Sequence, residues 1–334
     1  MNFPLRAALV GFVGFSLATS VVFSYGNGAW PGRTGTGGGV PLDVTRKAPS
    51  CGDTGCHRPF PGGLFLAVSL VPTKRSLGLN EAISVTTSAT GGQSVSTWGG
   101  FTSEATRGVF SPGSNSQQGS VLGDIVTHFN ATNSNNRVWT YGYTAPATPG
   151  LVELYTVVNT VNGDGVSNAL DYWGFHGYSA GATIATPVRL FVNATGITAL
   201  GDSCVGSWGQ YPVLGSKTAP ILGNAAFAFE LHGAAPYSTA ALLLGANPSW
   251  VPIDLTAIGV TGCKLQVDTL TTLSVATSSG DILRAEGTAT LGIPIPNNPV
   301  LVGGNLQAQM AILDTNVARP IKVTLTNGLA IVIS

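Results

Sequence analysis

Only 9% of the residues in this chain are charged, and the 15 basic and 15 acidic side chains cancel. Soluble domains carry about 25% charged residues. An amphipathic helix needs a charged or polar solvent face, so this composition disfavours long Glu/Lys-faced helices. A nucleic-acid binder needs a cationic surface to neutralise phosphates, and this chain offers none. The 45 glycines and 20 prolines follow no Gly-X-Y period, which excludes collagen. A hydrophobic content of 44% supplies real cores and excludes wholesale disorder. The balance points to an extracellular all-β protein, and 334 residues suit two domains after a leader.

Residues 1–24 read as a secretory signal peptide. Arg6 gives the positive start, Ala7 to Phe23 is uncharged, and small residues at Ala18 and Ser20, or Val22 and Ser24, offer cleavage points. The apolar run falls just short of the roughly 20 residues a membrane span needs, and no later segment is apolar enough. Export to the periplasm, cell surface or medium is expected, with no transmembrane span once the leader is removed. Residues 25–50 form a Gly/Pro-rich arm without periodicity.

Short strands recur after Leu64. Residues 82–87 are β-rich, 138–143 alternate with Trp139, Tyr141 and Tyr143 on one face, and 151–158 and 188–192 are further strands. Turn clusters separate them at 89–92, 111–114, 147–150 and 162–165. The pattern breaks at Asn193 to Thr198. Beyond it Phe227, Phe229 and Leu231 alternate, as do Leu306, Ala308, Met310 and Ile312, then Ile321, Val323 and Leu325, then Leu329, Ile331 and Ile333. Residues 225–229 and 239–244 have a helical look, but their β context favours strands. The expected fold is all-β, with two antiparallel β-sandwiches in tandem: an Ig/Reeler-like domain over 51–193 and a jelly-roll-like domain over 197–334.

The chemistry-bearing residues are few. Cys204 and Cys263 suit one structural disulfide, contributing on the order of 3–4 kcal/mol. Cys51 and Cys56, followed directly by His57 (CGDTGCH), suggest covalent c-type haem, with His57 as the proximal iron ligand. The usual spacing has two residues between the thiols and this chain has four, a bulge that Gly52 and Gly55 ease. A local Cys51–Cys56 disulfide and a zinc site with a distant His compete with haem. Met310 lies in the other domain, so the sixth ligand falls to His128, to His176 as second choice, or to none. His232 shares the polar face of its strand with Glu230 and is expected to carry no function.

The N-terminal region, roughly Tyr25 to Phe191, resembles the secreted bacterial choice-of-anchor V domain, a relative of the Reeler-type sandwich. The residues that carry the likeness are Cys56 and His57 after the Gly-rich arm, WGGF at Trp98, GVFSPG at Gly108, VTH at Val126 to His128, WTYGYTAPA at Trp139, and VNTVNGDG at Val158 leading to Asp171. The resemblance implies a haem-type motif near the mature N-terminus and raises His128 over His176 as distal ligand. The C-terminal part, about Ile197 to Ser334, is similar to a recurrent β-domain of secreted bacterial proteins with no known activity. Its marks include GDSC at Gly201, PILGN at Pro220, GCKL at Gly262 and QAQMAILD at Gln307.

No GxSxG, HExxH or P-loop occurs, and carboxylates are scattered, so an enzyme is not expected. Asn162, Asp164 and Asp171 could hold calcium, though a hairpin turn accounts for them. Trp208, Tyr211, Tyr237 and Trp250 could form a sugar platform, though packing is the commoner use of single aromatics. Two functions follow. One is an exported c-type haem protein for electron transfer or redox sensing, with a redox partner protein and Cys51, Cys56, His57 and His128 as its site. The other is a cofactor-free adhesive or structural protein that contacts glycan or protein at the cell surface, with Cys51 and Cys56 joined as a disulfide.

Overall fold

The computed structural model describes residues 66–92, 97–119, 121–129, 137–164, 170–177 and 186–334. The expected leader, the arm, and Cys51, Cys56 and His57 lie outside these residues.

The first body holds eleven strands: β1 (Leu66–Pro72), β2 (Ser76–Leu77), β3 (Ala82–Gly91), β4 (Gly99–Ala105), β5 (Val109–Ser111), β6 (Ser116–Gln118), β7 (Ile125–His128), β8 (Val138–Thr144), β9 (Gly150–Thr160), β10 (Tyr172–Phe175) and β11 (Val188–Val192). One sheet runs β1-β3-β8-β5 and the other β2-β11-β9-β4-β7-β6, with β10 also on β9. All pairings are antiparallel except that of β2 with β11. The period-2 pattern sets the core. Ile83, Val85, Thr87 and Ala89 of β3 point inward beside Trp139, Tyr141 and Tyr143 of β8. Phe101 from the second sheet stacks on Tyr141 at 5.2 Å and tilts against Trp139 at 4.9 Å.

Four hydroxyls in this core join the two sheets. Tyr141 Oη lies 2.7 Å from Thr87 Oγ1 and 2.6 Å from Ser103 Oγ, and Ser103 Oγ donates to Thr156 Oγ1 at 2.7 Å. Each polar atom finds a partner, so burial is tolerated. Burial pushes the Tyr141 hydroxyl well above its ordinary pKa.

The second body follows Asn193–Gly196. Its strands are β12 (Ile197–Ala199), β13 (Val213–Gly215), β14 (Ala228–Ala234), β15 (Thr239–Gly245), β16 (Ile253–Asp254), β17 (Lys264–Leu265), β18 (Thr271–Ala276), β19 (Gly287–Gly292), β20 (Asn305–Leu313), β21 (Val323–Leu325) and β22 (Leu329–Val332). A sheet ordered β12-β22-β20-β15-β18, with β21 on β20, faces the three-stranded sheet β13-β14-β19. Phe229, Leu231, Leu242, Met310, Ile312 and Ile331 fill the space between. Both helical-looking stretches lie within or overlap strands, β14 and β15, because each lays one apolar face on this core. Cys204 and Cys263 form a disulfide across 59 residues, which in the chain-entropy picture contributes about 4 kcal/mol. Arg319 Nη1 donates to Cys263 Sγ at 2.9 Å and to the Val323 carbonyl at 3.0 Å.

The two bodies are packed against each other. All five residues of β11 are buried, and a Cβ on Gly215 of β13 would come within 1.9 Å of the Phe191 ring. Ala194 N donates to the Ser216 carbonyl at 3.0 Å, and Ser216 N to Asn193 Oδ1 at 3.2 Å. Arg189 Nε meets Glu153 Oε1 at 3.3 Å, while its Nη1 donates to the carbonyls of Arg284 and Ala285 at 3.1 and 3.2 Å. Arg75 lies 3.7 Å over the Tyr211 ring and 3.8 Å from Asp202. Burial works against the Arg75 charge and lowers its pKa, opposed by Asp202.

Arg189→Ala leaves Glu153 and two carbonyls without their donor. It is expected to cost about 3 kcal/mol and to split one thermal transition into two by calorimetry. Arg189→Lys should not restore the single transition, because one ammonium cannot replace the guanidinium fork.

Candidate functional site

The Arg189 contact leads directly to a cleft in the second body. Ala285 caps the 3₁₀ turn Ile282–Arg284 in the left-handed region, with φ 47° and ψ 57°. Its carbonyl faces Arg189, and the residue itself borders a cavity of about 160 Å³.

Two loops raise aromatics on the rim of this cavity. In the first, the 3₁₀ turn Ser207–Gly209 places Trp208 at φ 62° and ψ 19°. Gly206 N donates to the Gln210 carbonyl at 2.6 Å and closes the loop. Asp314 fixes its start, since Oδ2 accepts from Ser207 N at 2.7 Å and from Thr324 Oγ1 at 3.3 Å, and Oδ1 accepts from the Ser207 hydroxyl. In the second, the turn between β14 and β15 sets Tyr237 at φ 52°. Thr277 Oγ1 holds that turn by donating to the Ala235 carbonyl at 2.8 Å and accepting from Ser238 N at 2.8 Å.

A bulky side chain in the left-handed region is rare and costs roughly 1–2 kcal/mol. Six non-glycine residues have positive φ among those described, and three of them, Trp208, Tyr237 and Ala285, line this one cleft. Strain of this kind persists where surrounding structure holds it, and it clusters at functional sites. The strained positions do not bury the rings. Trp208 is 53% exposed and Tyr237 72%. Gln210 borders the same cleft at 6% exposure, and its carboxamide makes no hydrogen bond with any described residue.

Of the four aromatics singled out in the sequence, the structure brings together Trp208 and Tyr237. Tyr211 lies under Arg75 between the bodies, and Trp250 is half-buried with Nε1 donating to the Leu265 carbonyl at 3.4 Å. Packing accounts for those two. Nothing in the local sequence distinguishes Gln210, Asn316 or Ala285 as cleft residues.

The histidines are placed separately. His128 ends β7, is buried, and has Nδ1 3.1 Å from Phe101 N and 3.2 Å from the Phe101 carbonyl. Its ring lies against Gly100, where any Cβ would collide at 2.3 Å. His176 follows β10 with Nδ1 3.4 Å from the Val68 carbonyl. Burial drives its pKa down to about 4, so it is neutral at pH 7. His232 Nε2 sits 3.4 Å from Glu230 Oε2, on the shared polar face. Asn162 and Asp164 bond each other at the start of the β9–β10 connection, with Asn162 Nδ2 donating to Asp164 Oδ2 at 2.8 Å. Among the described residues no cluster of three His, Cys, Asp or Glu suits a metal ion, and no helix is long and apolar enough to cross a membrane.

No protein-family model matches the chain, and no curated protein sequence matches it. Among solved structures it is similar to trypsin-activated alpha-2-macroglobulin from Escherichia coli, at 11% identity and TM-score 0.23 over 80% of this chain and 16% of that one. It is similar to the Yersinia pseudotuberculosis adhesin InvE at 12% identity and TM-score 0.22, over 80% of this chain and 60% of the adhesin. The Escherichia coli adhesin FdeC gives 10% identity and TM-score 0.19, over 80% and 64%. The chain thus spans less than two thirds of each, and the scores lie far below those of a shared overall fold.

Trp208→Gly removes the left-handed strain and is expected to raise stability by about 1 kcal/mol in chemical denaturation. A loss of stability would mean that the Trp208 ring is held for packing.

Proposed function

We propose that this chain is an exported surface protein that works by binding, with the Trp208–Tyr237 cleft as its contact point. The observation that carries this reading is the convergence of two exposed aromatics, each on a strained backbone, over one cavity. Exposed rings held at a cost in backbone energy are used for contact with something outside the chain. The two packed bodies form a support for that contact, consistent with an adhesive or structural role. Fluorescently labelled protein should bind intact bacterial cells saturably. The Trp208→Ala/Tyr237→Ala variant should bind about tenfold more weakly, a loss near 1.4 kcal/mol. Undiminished binding by the double variant overturns this reading.

A second reading rests on the adjacency of Cys56 and His57, which lie outside the described residues. Cys51 and Cys56 would hold haem covalently, with His57 proximal and His128 distal, for electron transfer. Protein matured with haem-ligation machinery would then carry the mass of one haem. Cys51 and Cys56 found oxidised to each other, with no added mass, would remove this reading.

A further inference from the structure

The chemistry of the cleft specifies a ligand class, on the premise that the cleft is the contact point. One charged side chain lines it, Asp314, and both its oxygens are occupied by Ser207 and Thr324. No Lys, Arg or His is among the lining residues. The site therefore has no counter-charge for a phosphate, sulfate or carboxylate, and no free carboxylate for a cation.

The remaining groups are apolar faces on one hand and uncharged polar groups, amides and the hydroxyl residues Ser238 and Thr315, on the other. Trp208 and Tyr237 present flat apolar faces to the outside. Gln210 and Asn316 border the cleft, and their carboxamides can each donate and accept. Gln210 is 6% exposed as a residue, and its carboxamide, which has no partner among the described residues, is not closed off from solvent, so it is open to a ligand or to water. A ligand that satisfies both kinds has apolar C–H faces and a rim of uncharged hydroxyls. At about 160 Å³ the cavity is below the roughly 300 Å³ of ordinary small-molecule sites, so it takes one ring and leaves the rest of a chain outside.

We infer that the cleft binds a single uncharged pyranose unit of a surface polysaccharide, stacked by Trp208 and Tyr237 and hydrogen-bonded by Gln210 and Asn316. A proline-rich peptide could also use the aromatic rim, but it offers fewer donors for the amide oxygens of Gln210 and Asn316.

The test applies the whole protein to an array of neutral oligosaccharides of glucose, galactose, mannose and N-acetylglucosamine, with sulfated and uronic-acid glycans and a proline-rich peptide alongside. The best neutral glycan is then titrated by calorimetry. Binding to at least one neutral glycan is expected, with affinity unchanged between about 0.05 and 0.5 M salt because no charge is used. Trp208→Ala should weaken it about tenfold and Gln210→Ala severalfold, with thermal melts confirming that both variants fold. Tyr237→Ala, at the most exposed position, gives the same comparison should Gln210→Ala fail to fold.

Binding confined to charged glycans or to the peptide overturns the inference. So does no binding at all, or neutral-glycan binding indifferent to Trp208→Ala. Loss of cell binding by the Trp208/Tyr237 double variant without any neutral-glycan binding leaves the contact role standing and removes the saccharide.

Discussion

Arg189 holds the architecture together. It leaves β11, pairs with Glu153 on the neighbouring strand β9, and reaches the carbonyls of Arg284 and Ala285 in the other body. Both partners sit in largely buried surroundings, where a guanidinium is tolerated only if its donors are used. The contact fixes how the second body sits on the first. It also fixes the carbonyl of Ala285, whose left-handed backbone forms one wall of the cleft. Interface and cleft therefore share a residue.

The Trp208 loop shares them too. Gln210 borders both the cleft and a second cavity of about 210 Å³ between the bodies, and Tyr211 lies under Arg75. Four successive residues thus run from the outer rim to the interface. Asp314 fixes Ser207 at one end and Arg75 covers Tyr211 at the other. Between these anchors Trp208 has little freedom to relax from its positive φ, which explains how the strain persists. A loop anchored at both ends meets a ligand with its geometry already set, so little ordering entropy is lost on binding.

The strands were legible in the sequence because their burial alternates. Trp139, Tyr141 and Tyr143 read as one face and are one face, and the pairing of Cys204 with Cys263 was equally readable. The aromatic face was legible only as a roll of four residues, and two of those serve packing. Nothing local separates Trp208 from Trp250. The difference arises from contacts more than a hundred residues away in the chain, Asp314 for Ser207 and Arg75 for Tyr211. Gln210 was invisible for the same reason, since its burial beside the cleft is a product of packing. The haem-type motif is the reverse case: plain in sequence, and outside the residues that the structure describes.

The scarcity of charge has a structural consequence beyond excluding helices. Several of the few charged side chains serve as internal fasteners: Arg189 with Glu153, Arg75 with Asp202, Arg319 at the disulfide, and Asp314 at the Trp208 loop. Charges used this way cannot steer a partner through long-range fields. Recognition must then rest on short-range contact, through flat rings, amides and hydroxyls that act only once a ligand is seated. An aromatic-rimmed cleft without a free charge is the form such recognition takes, and a neutral polyhydroxylated ring is the ligand that loses least by the absence of charge.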